Sequence, residues 1–335
     1  MEYTRLGKSG LKVSKIILGA MSFGSSQWQD WVLDEEAALP IIEHAYKSGI
    51  NTWDTADIYS HGESERLLGQ ALKTYNIPRE NVVILTKGYF ALSQDGSQLP
   101  LSECMVNDGS LTNRVGLSRK KLFDAVEACV ARLGTYIDVF QIHRLDRDVP
   151  KEEIMRALND LVESGKIRYI GASSMSAWEF QQLQNIAEKN NWHKFISMQN
   201  YLNLLYREEE REMLPYCENT GVGIIPWSSM AGGVLARPWG SATKRSENDK
   251  HKLPYGAVEV QKAVLERVEE LSQKRDVPMS AISTAWVLQK GACPILGLGS
   301  KDRIDDAILA LSVKLTQEEI DYLEEPYQPR SVTGY

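Results

Sequence analysis

With 335 residues, 43% of them hydrophobic and 25% charged, the chain has the composition of an ordinary globular protein, which excludes a disordered or collagen-like polymer. A formal charge of −7 gives no electrostatic reason to expect a nucleic-acid partner. Four widely spaced cysteines, Cys104, Cys129, Cys217 and Cys293, form no CxxC pair and imply buried thiols rather than a metal site or disulfide framework.

The opening stretch, MEYTRLGKSGLKVSKIILGAM, carries charge throughout, and its longest apolar run is far short of a signal-peptide core or a spanning helix. The ending SVTGY matches no lipidation or retention signal. A cytoplasmic protein without membrane contact is the expectation. Beyond the opening, short apolar runs predict strands over Ile16–Met21, Ile50–Asp54, Val82–Thr86, Asp138–Ile142, Arg168–Ala172, Phe195–Gln199, Gly223–Pro226 and Pro294–Gly297. Several are continuous rather than alternating, as parallel strands buried on both faces should be. Helical patterns lie between them. Leu122, Val126, Cys129 and Leu133 form one core-facing stripe, and Val260, Val264, Val268 and Leu271 another. Ser118 fits a helix start, and Ser176 with Glu179 fits a capping box.

About eight strand–helix units without a compositional break predict an α/β chain forming one (β/α)8 TIM barrel domain over residues 1–335. An open doubly wound sheet is the runner-up, but no GxGxxG follows the first strand. Two segments break the rhythm, Gly88–Leu117 and Ser228–Ala257, and Pro326 and Pro329 discourage helix in the tail. Both segments follow strands, which puts long loops at the C-terminal face of the barrel, where active sites sit.

Ionisable residues end three successive strands: Asp54 in NTWDTADIYS, Lys87 in VVILTKG and His143 in DVFQIHR, with Tyr59 just beyond the first. Each alone has an ordinary structural explanation; their common place at one barrel mouth is what points to chemistry. For a tyrosine to exchange protons near neutrality, its phenolate must be favoured by roughly 4 kcal/mol. One cation at about 4 Å, at an effective dielectric near 20, supplies about that much. A tyrosine donor suits a carbonyl oxygen whose charge grows on reduction, and a histidine can add a second hydrogen bond. No metal-ligand triad is present in this pattern.

DTADIYSHGESERLLGQAL, LTKGYF, VFQIHRLD and IRYIGASS together resemble the aldo-keto reductases from about Thr4 to Glu325, and the fungal aryl-alcohol dehydrogenase-like branch most of all. The resemblance implies NADPH/NADP+ as cofactor and an aldehyde or ketone as substrate. It maps a catalytic tetrad onto Asp54, Tyr59, Lys87 and His143, with Tyr59 as general acid, Lys87 as its cation, Asp54 holding Lys87 and His143 orienting the carbonyl. It further implies cofactor contacts from Met21, Ser22, Asp54, Ser173, Gln199, Trp227, Ser228, Met230, Gly232, Leu235, Gly297 and Arg303. Trp227 stands where an aromatic ring stacks on nicotinamide. Three positions depart from the usual pattern: Ser174, Gly299 and Ala307 replace the more frequent Asn, Arg or Ser, and Asn. The cations left for a 2′-phosphate are Arg303, Lys301, Arg237, Lys244 and Arg245, with Arg303 the first choice. Phe23, Trp28 and Tyr89 are expected to wall the substrate pocket, with Trp31 and Phe90 nearby, favouring aryl or medium apolar aldehydes. The expected partner is a small-molecule carbonyl substrate, with no nucleic acid or membrane, and the chain is expected to be a monomer or weak homo-oligomer. Two other readings stay open: an NADPH-binding regulatory subunit resembling potassium-channel β-subunits, and a Schiff-base role for Lys87.

Overall fold

A computed structural model describes residues 1–93, 99–249 and 255–335. The chain opens with an antiparallel hairpin, β1 (Tyr3–Arg5) and β2 (Lys12–Ser14). Eight parallel strands follow: β3 (Ile17–Gly19), β4 (Thr52–Asp54), β5 (Val83–Gly88), β6 (Ile137–Ile142), β7 (Ile167–Ser173), β8 (Phe195–Gln199), β9 (Gly223–Ile224) and β10 (Ile295–Leu296). They pair in sequence order, with β10 returning to β3. The remaining gap is bridged by the Cys293 and Ile295 N–H groups, which donate to Ile224 O (2.9 Å) and Pro226 O (3.0 Å). The eight strands are those expected, their ends differing by at most two residues.

Between the strands run α1 (Glu35–Lys47), α2 (Glu63–Thr74), α3 (Arg119–Leu133), α4 (Lys151–Glu163), α5 (Ala177–Asn190) and α6 (Met213–Thr220). The last strands are connected by α7 (Lys244–Asn248), α8 (Val258–Arg275) and α9 (Met279–Gln289), and α10 (Lys301–Leu309) and α11 (Gln317–Glu324) close the chain. Helix starts follow their local chemistry. The Ser118 hydroxyl accepts from Lys121 N at 3.2 Å, and Ser176 with Glu179 forms the full capping box. The stripe Leu122, Val126, Cys129 and Leu133 is buried against the sheet.

The two-residue period of the strands sorts the barrel interior into layers. Ile17, Val83, Leu85, Val139, Ile225 and Ile295 form an apolar lower cluster, closed from below by Leu6 and Val13 of the hairpin. One step further along the same faces stand Asp54, Lys87, Gln141 and Gln199. Gly171 makes room for this arrangement. A Cβ there would lie 2.6 Å from Ser197 Oγ and 3.0 Å from Gln141 Cγ. The interior is therefore dry and apolar at its base and polar at its C-terminal mouth.

The segment after β5 carries short 3-10 turns at Glu103–Met105 and Gly109–Leu111. Its Phe90 and Cys104 form a small core with Ala56 and Ile58 beside the mouth. All four cysteines are buried thiols.

Packing between α2 and α3 offers a direct test. Alanine is a better helix former than glycine by about 1 kcal/mol. A Cβ on Gly69, however, would lie 2.3 Å from the Leu133 carbonyl oxygen, a rigid backbone atom. Gly69→Ala is therefore expected to destabilise the protein by about 1–3 kcal/mol, read as a lowered urea midpoint.

Candidate active site

At the centre of the mouth lies Lys87, which has no exposed surface. Its ammonium donates to Asp54 Oδ2 (2.5 Å), the Thr55 carbonyl (2.8 Å) and the Tyr59 hydroxyl oxygen (3.2 Å), so all three of its N–H groups are used. The other oxygen of Asp54 accepts from Gln141 Nε2 (3.0 Å) and Gln199 Nε2 (2.9 Å). Burial works against the charged Lys87, but Asp54 and Tyr59 outweigh it and hold the ammonium above the usual lysine range. Because an ammonium cannot accept a hydrogen bond, Tyr59 accepts from Lys87, and its own O–H proton is free for another partner.

Tyr59 is half-buried and sits above this pair, its ring 6.0 Å from that of His143 in an edge-on arrangement. Burial, with the Lys87 and Arg144 charges, holds the His143 imidazole well below its ordinary value, so it is neutral at physiological pH and offers one N–H donor. Around these two rings an aromatic wall continues. Trp28 lies 6.3 Å from Tyr59, Phe90 5.1 Å from His143, and Tyr89 5.2 Å from Phe90.

The backbone that presents Tyr59 is strained. Ser60 (φ 48°), His61 (φ 50°) and Gly62 (φ 94°) are left-handed in succession. Ser25 N–H donates to Ser60 Oγ (3.1 Å), and the Arg132 side chain lies where a Cβ of Gly62 would stand. Arg132 is itself fixed by buried Glu65 (2.6 Å), which also accepts from Thr86 Oγ1 (2.5 Å). Other non-glycine left-handed residues near the mouth are Ser174, Ser228 and Ala231, which follow β7 and β9. The remaining ones, Asn76, Asn113, Asn191 and Asp276, are of the types that tolerate this conformation. Strain borne by Ser, His and Ala thus gathers at the mouth, as it does at functional sites.

Opposite Tyr59, Trp227 donates its indole N–H to Ser174 Oγ (3.0 Å). One face of its ring stacks on Tyr201 (4.4 Å, 13°), which stacks in turn on Tyr206 (4.2 Å, 18°). Ser173 Oγ donates to Gln199 O (3.0 Å), and Ser22 Oγ is buried without a partner among the described residues. Asn203 Nδ2 holds the Ser228 carbonyl (2.9 Å), while Met230, Gly232 and buried Leu235 follow in a tight turn. Gly232 is left-handed at φ 64° and abuts the Tyr255 hydroxyl. Gly297 is exposed, with open space where a Cβ would stand. Met21 is half-buried beside Ser22. These groups fit a nicotinamide dinucleotide: an aromatic face, an unpartnered hydroxyl, and backbone turns with bare glycines.

Several expected residues are placed otherwise. Phe23 has no exposed surface and packs in the main core, so it does not wall the mouth. Both N–H groups of Gln199 are committed to Asp54 and Gln141 (3.0 Å), leaving only its carbonyl oxygen for a carboxamide. Arg245 is paired with Asp249 (3.0 Å) and lies over Trp31. The Lys244 side chain lies outside the described residues. Gln141 was not anticipated, although it stands two residues before His143 on an inward-facing register.

A model of the aldo/keto reductase family matches residues 15–328. The chain belongs to the aldo/keto reductase family. This oxidoreductase is 61% identical over 338 residues to a versiconal hemiacetal acetate reductase of Aspergillus parasiticus, covering 99% of this chain and 98% of the relative. It is 54% identical to a putative aryl-alcohol dehydrogenase of Schizosaccharomyces pombe, covering 99% and 97%. A putative aryl-alcohol dehydrogenase of Saccharomyces cerevisiae is 49% identical, with 98% of each chain covered. Family membership supports carbonyl reduction, with a nicotinamide cofactor, as the chemistry of this mouth. Among the described residues no helix is long and apolar enough to cross a membrane.

The buried pair makes a stability prediction for this reductase. Lys87→Met leaves Asp54 as an uncompensated buried charge and should cost about 3–5 kcal/mol. Adding Asp54→Asn to that variant should recover a large part of the loss, measured by urea denaturation; equal stability of the single and double variants would count against the pairing.

Proposed function

We propose that this enzyme reduces aldehydes and ketones, aryl aldehydes foremost, to alcohols with NADPH. The observation that carries the reading is the Asp54–Lys87–Tyr59 chain, which leaves the Tyr59 proton as the available donor at the mouth. A bound reduced nicotinamide supplies the hydride. As the carbonyl oxygen gains charge, Tyr59 gives it a proton, and Lys87 stabilises the phenolate left behind. Neutral His143 donates a second hydrogen bond to the same oxygen, and the ring wall of Trp28, Phe90 and Tyr89 favours an aromatic body on the substrate. The half-buried Trp227 ring, fixed by Tyr201 and Ser174, is the platform for the nicotinamide ring.

The preference for the phosphorylated dinucleotide rests on two arginines. Arg237 is held below its ordinary value by burial and by the charge of Arg303. Its guanidinium lies against Gly233 and that of Arg303 near Gly299; a Cβ would stand 2.9 Å and 3.6 Å away respectively. Neither belongs to any ion pair among the described residues. Two facing guanidiniums without a carboxylate repel each other, and a 2′-phosphate relieves that repulsion with charge-assisted hydrogen bonds.

Turnover with NADPH and with NADH on a panel of aromatic and aliphatic aldehydes tests the reading. Repeated turnover on aryl aldehydes is expected; tight NADPH binding without turnover would favour the regulatory alternative. Tyr59→Phe should lower kcat by about 10²–10⁴-fold while NADPH affinity changes little. Arg303→Ala and Arg237→Ala should each weaken NADPH by about tenfold or more and NADH hardly at all, read by tryptophan fluorescence titration. Equal losses for both dinucleotides would refute the phosphate contact.

A further inference from the structure

Arg144 follows His143 at the end of β6 and has no established task in the chemistry above. Its guanidinium carries five N–H donors. One nitrogen donates to the His143 carbonyl at 2.6 Å, a bond to its own neighbour. No carboxylate among the described residues lies within ion-pair distance of it. Its near neighbour Arg147 shows the contrast, with both nitrogens bound to Glu179 at 2.8 and 2.9 Å. Nearby acids are committed elsewhere. Asp146 Oδ2 accepts from Leu117 N (2.9 Å) and its Oδ1 from Asp148 N (3.1 Å).

Arg144 is also only partly open to water. After burial, the ionisable neighbours that act on it are Tyr59 and Tyr89. Those residues follow β4 and β5 and belong to the aromatic wall. The residues suited to the dinucleotide lie after β7, β9 and β10 instead. A half-buried, incompletely bonded guanidinium at the substrate side of a low-dielectric pocket is a preformed partner for an anionic oxygen.

We infer that Arg144 selects carbonyl substrates whose aromatic body also carries a carboxylate or phenolate, bound by this guanidinium while the carbonyl faces Tyr59 and His143. The inference rests on the reductase reading and adds a substrate class to it. Planar, bidentate pairing makes arginine suited to this task, and lysine reproduces the charge but not the fork.

The test compares 3- and 4-carboxybenzaldehyde with their methyl esters as substrates for the wild type, Arg144→Lys and Arg144→Leu. For at least one ring position, wild type should favour the acid over the ester by about tenfold or more in kcat/KM. Arg144→Leu should bring that ratio near one, and Arg144→Lys should keep part of it. No preference in wild type, or equal losses on acid and ester in Arg144→Leu, would overturn the assignment. A second readout does not depend on turnover: benzoate and benzamide are titrated into the NADPH complex and followed by tryptophan fluorescence. Benzoate should bind more tightly than benzamide to the wild type and lose that advantage in Arg144→Leu; an advantage that survives in Arg144→Leu, or benzamide binding as tightly as benzoate, would also count against the assignment. Turnover of the esters without acid preference overturns only this inference, whereas absence of turnover on every aldehyde overturns the reductase reading itself.

Discussion

An ammonium with no exposed surface, Lys87, governs the upper half of this barrel. Moving such a group out of water costs several kcal/mol unless partners replace its hydration. Asp54, the Thr55 carbonyl and Tyr59 do so, but Asp54 then brings a second buried charge that has its own demands. Gln141 and Gln199 meet them from β6 and β8. One cation thus dictates polar residues on four strands, at the layer where a barrel would otherwise hold branched aliphatic side chains. The apolar layer beneath keeps water away from the pair from below, which strengthens every interaction within it.

The same cation explains the local distortion around Tyr59. A phenol must reach Lys87 from above while leaving its proton directed outward, and the chain then has to turn at once into α2. It does so through three left-handed residues, Ser60, His61 and Gly62. Such a turn costs of order 1–3 kcal/mol for each strained non-glycine residue. It is held by contacts from both sides: the Ser25 amide on Ser60, and Arg132, anchored on buried Glu65, against Gly62. The position of Tyr59 therefore depends on residues of the β3, β5 and α3 regions that never touch the mouth.

Much of this was legible in the residues. Short apolar runs located all eight barrel strands, several of them without alternation because parallel strands are buried on both faces. Asp54, Tyr59, Lys87 and His143 stood out because ionisable groups at consecutive strand ends have no reason to coincide in a core. What escaped was orientation. Phe23 follows a strand, yet the chain turns it into the main core, and nothing in its sequence neighbours signals that rotation. Gln199 looks equally able to face a ligand or the barrel axis; its direction is decided by Asp54, on a strand far away in sequence. Gln141 was within reach of the two-residue period, but a neutral amide draws less notice than the charge it supports. Pairing was hidden for the same reason: Arg245 resembles Arg237 and Arg303 until Asp249 is seen beside it.

The distribution of arginine partners gives the site a polarity. In a chain of net charge −7, acids are plentiful, and Arg79, Arg119, Arg132, Arg147, Arg156, Arg207, Arg211, Arg267 and Arg275 all find one. Guanidiniums that go without are therefore not explained by scarcity of carboxylates. Arg237 and Arg303 flank the side after β9 and β10, and Arg144 stands on the other side, after β6. On the proposed reading the two cationic ends sort the two reactants: the cofactor is drawn by its phosphate to one side and the substrate by its own anion to the other. Their reactive carbons are then left to meet between Trp227 and Tyr59, beside the hydroxyl that would protonate the new alkoxide.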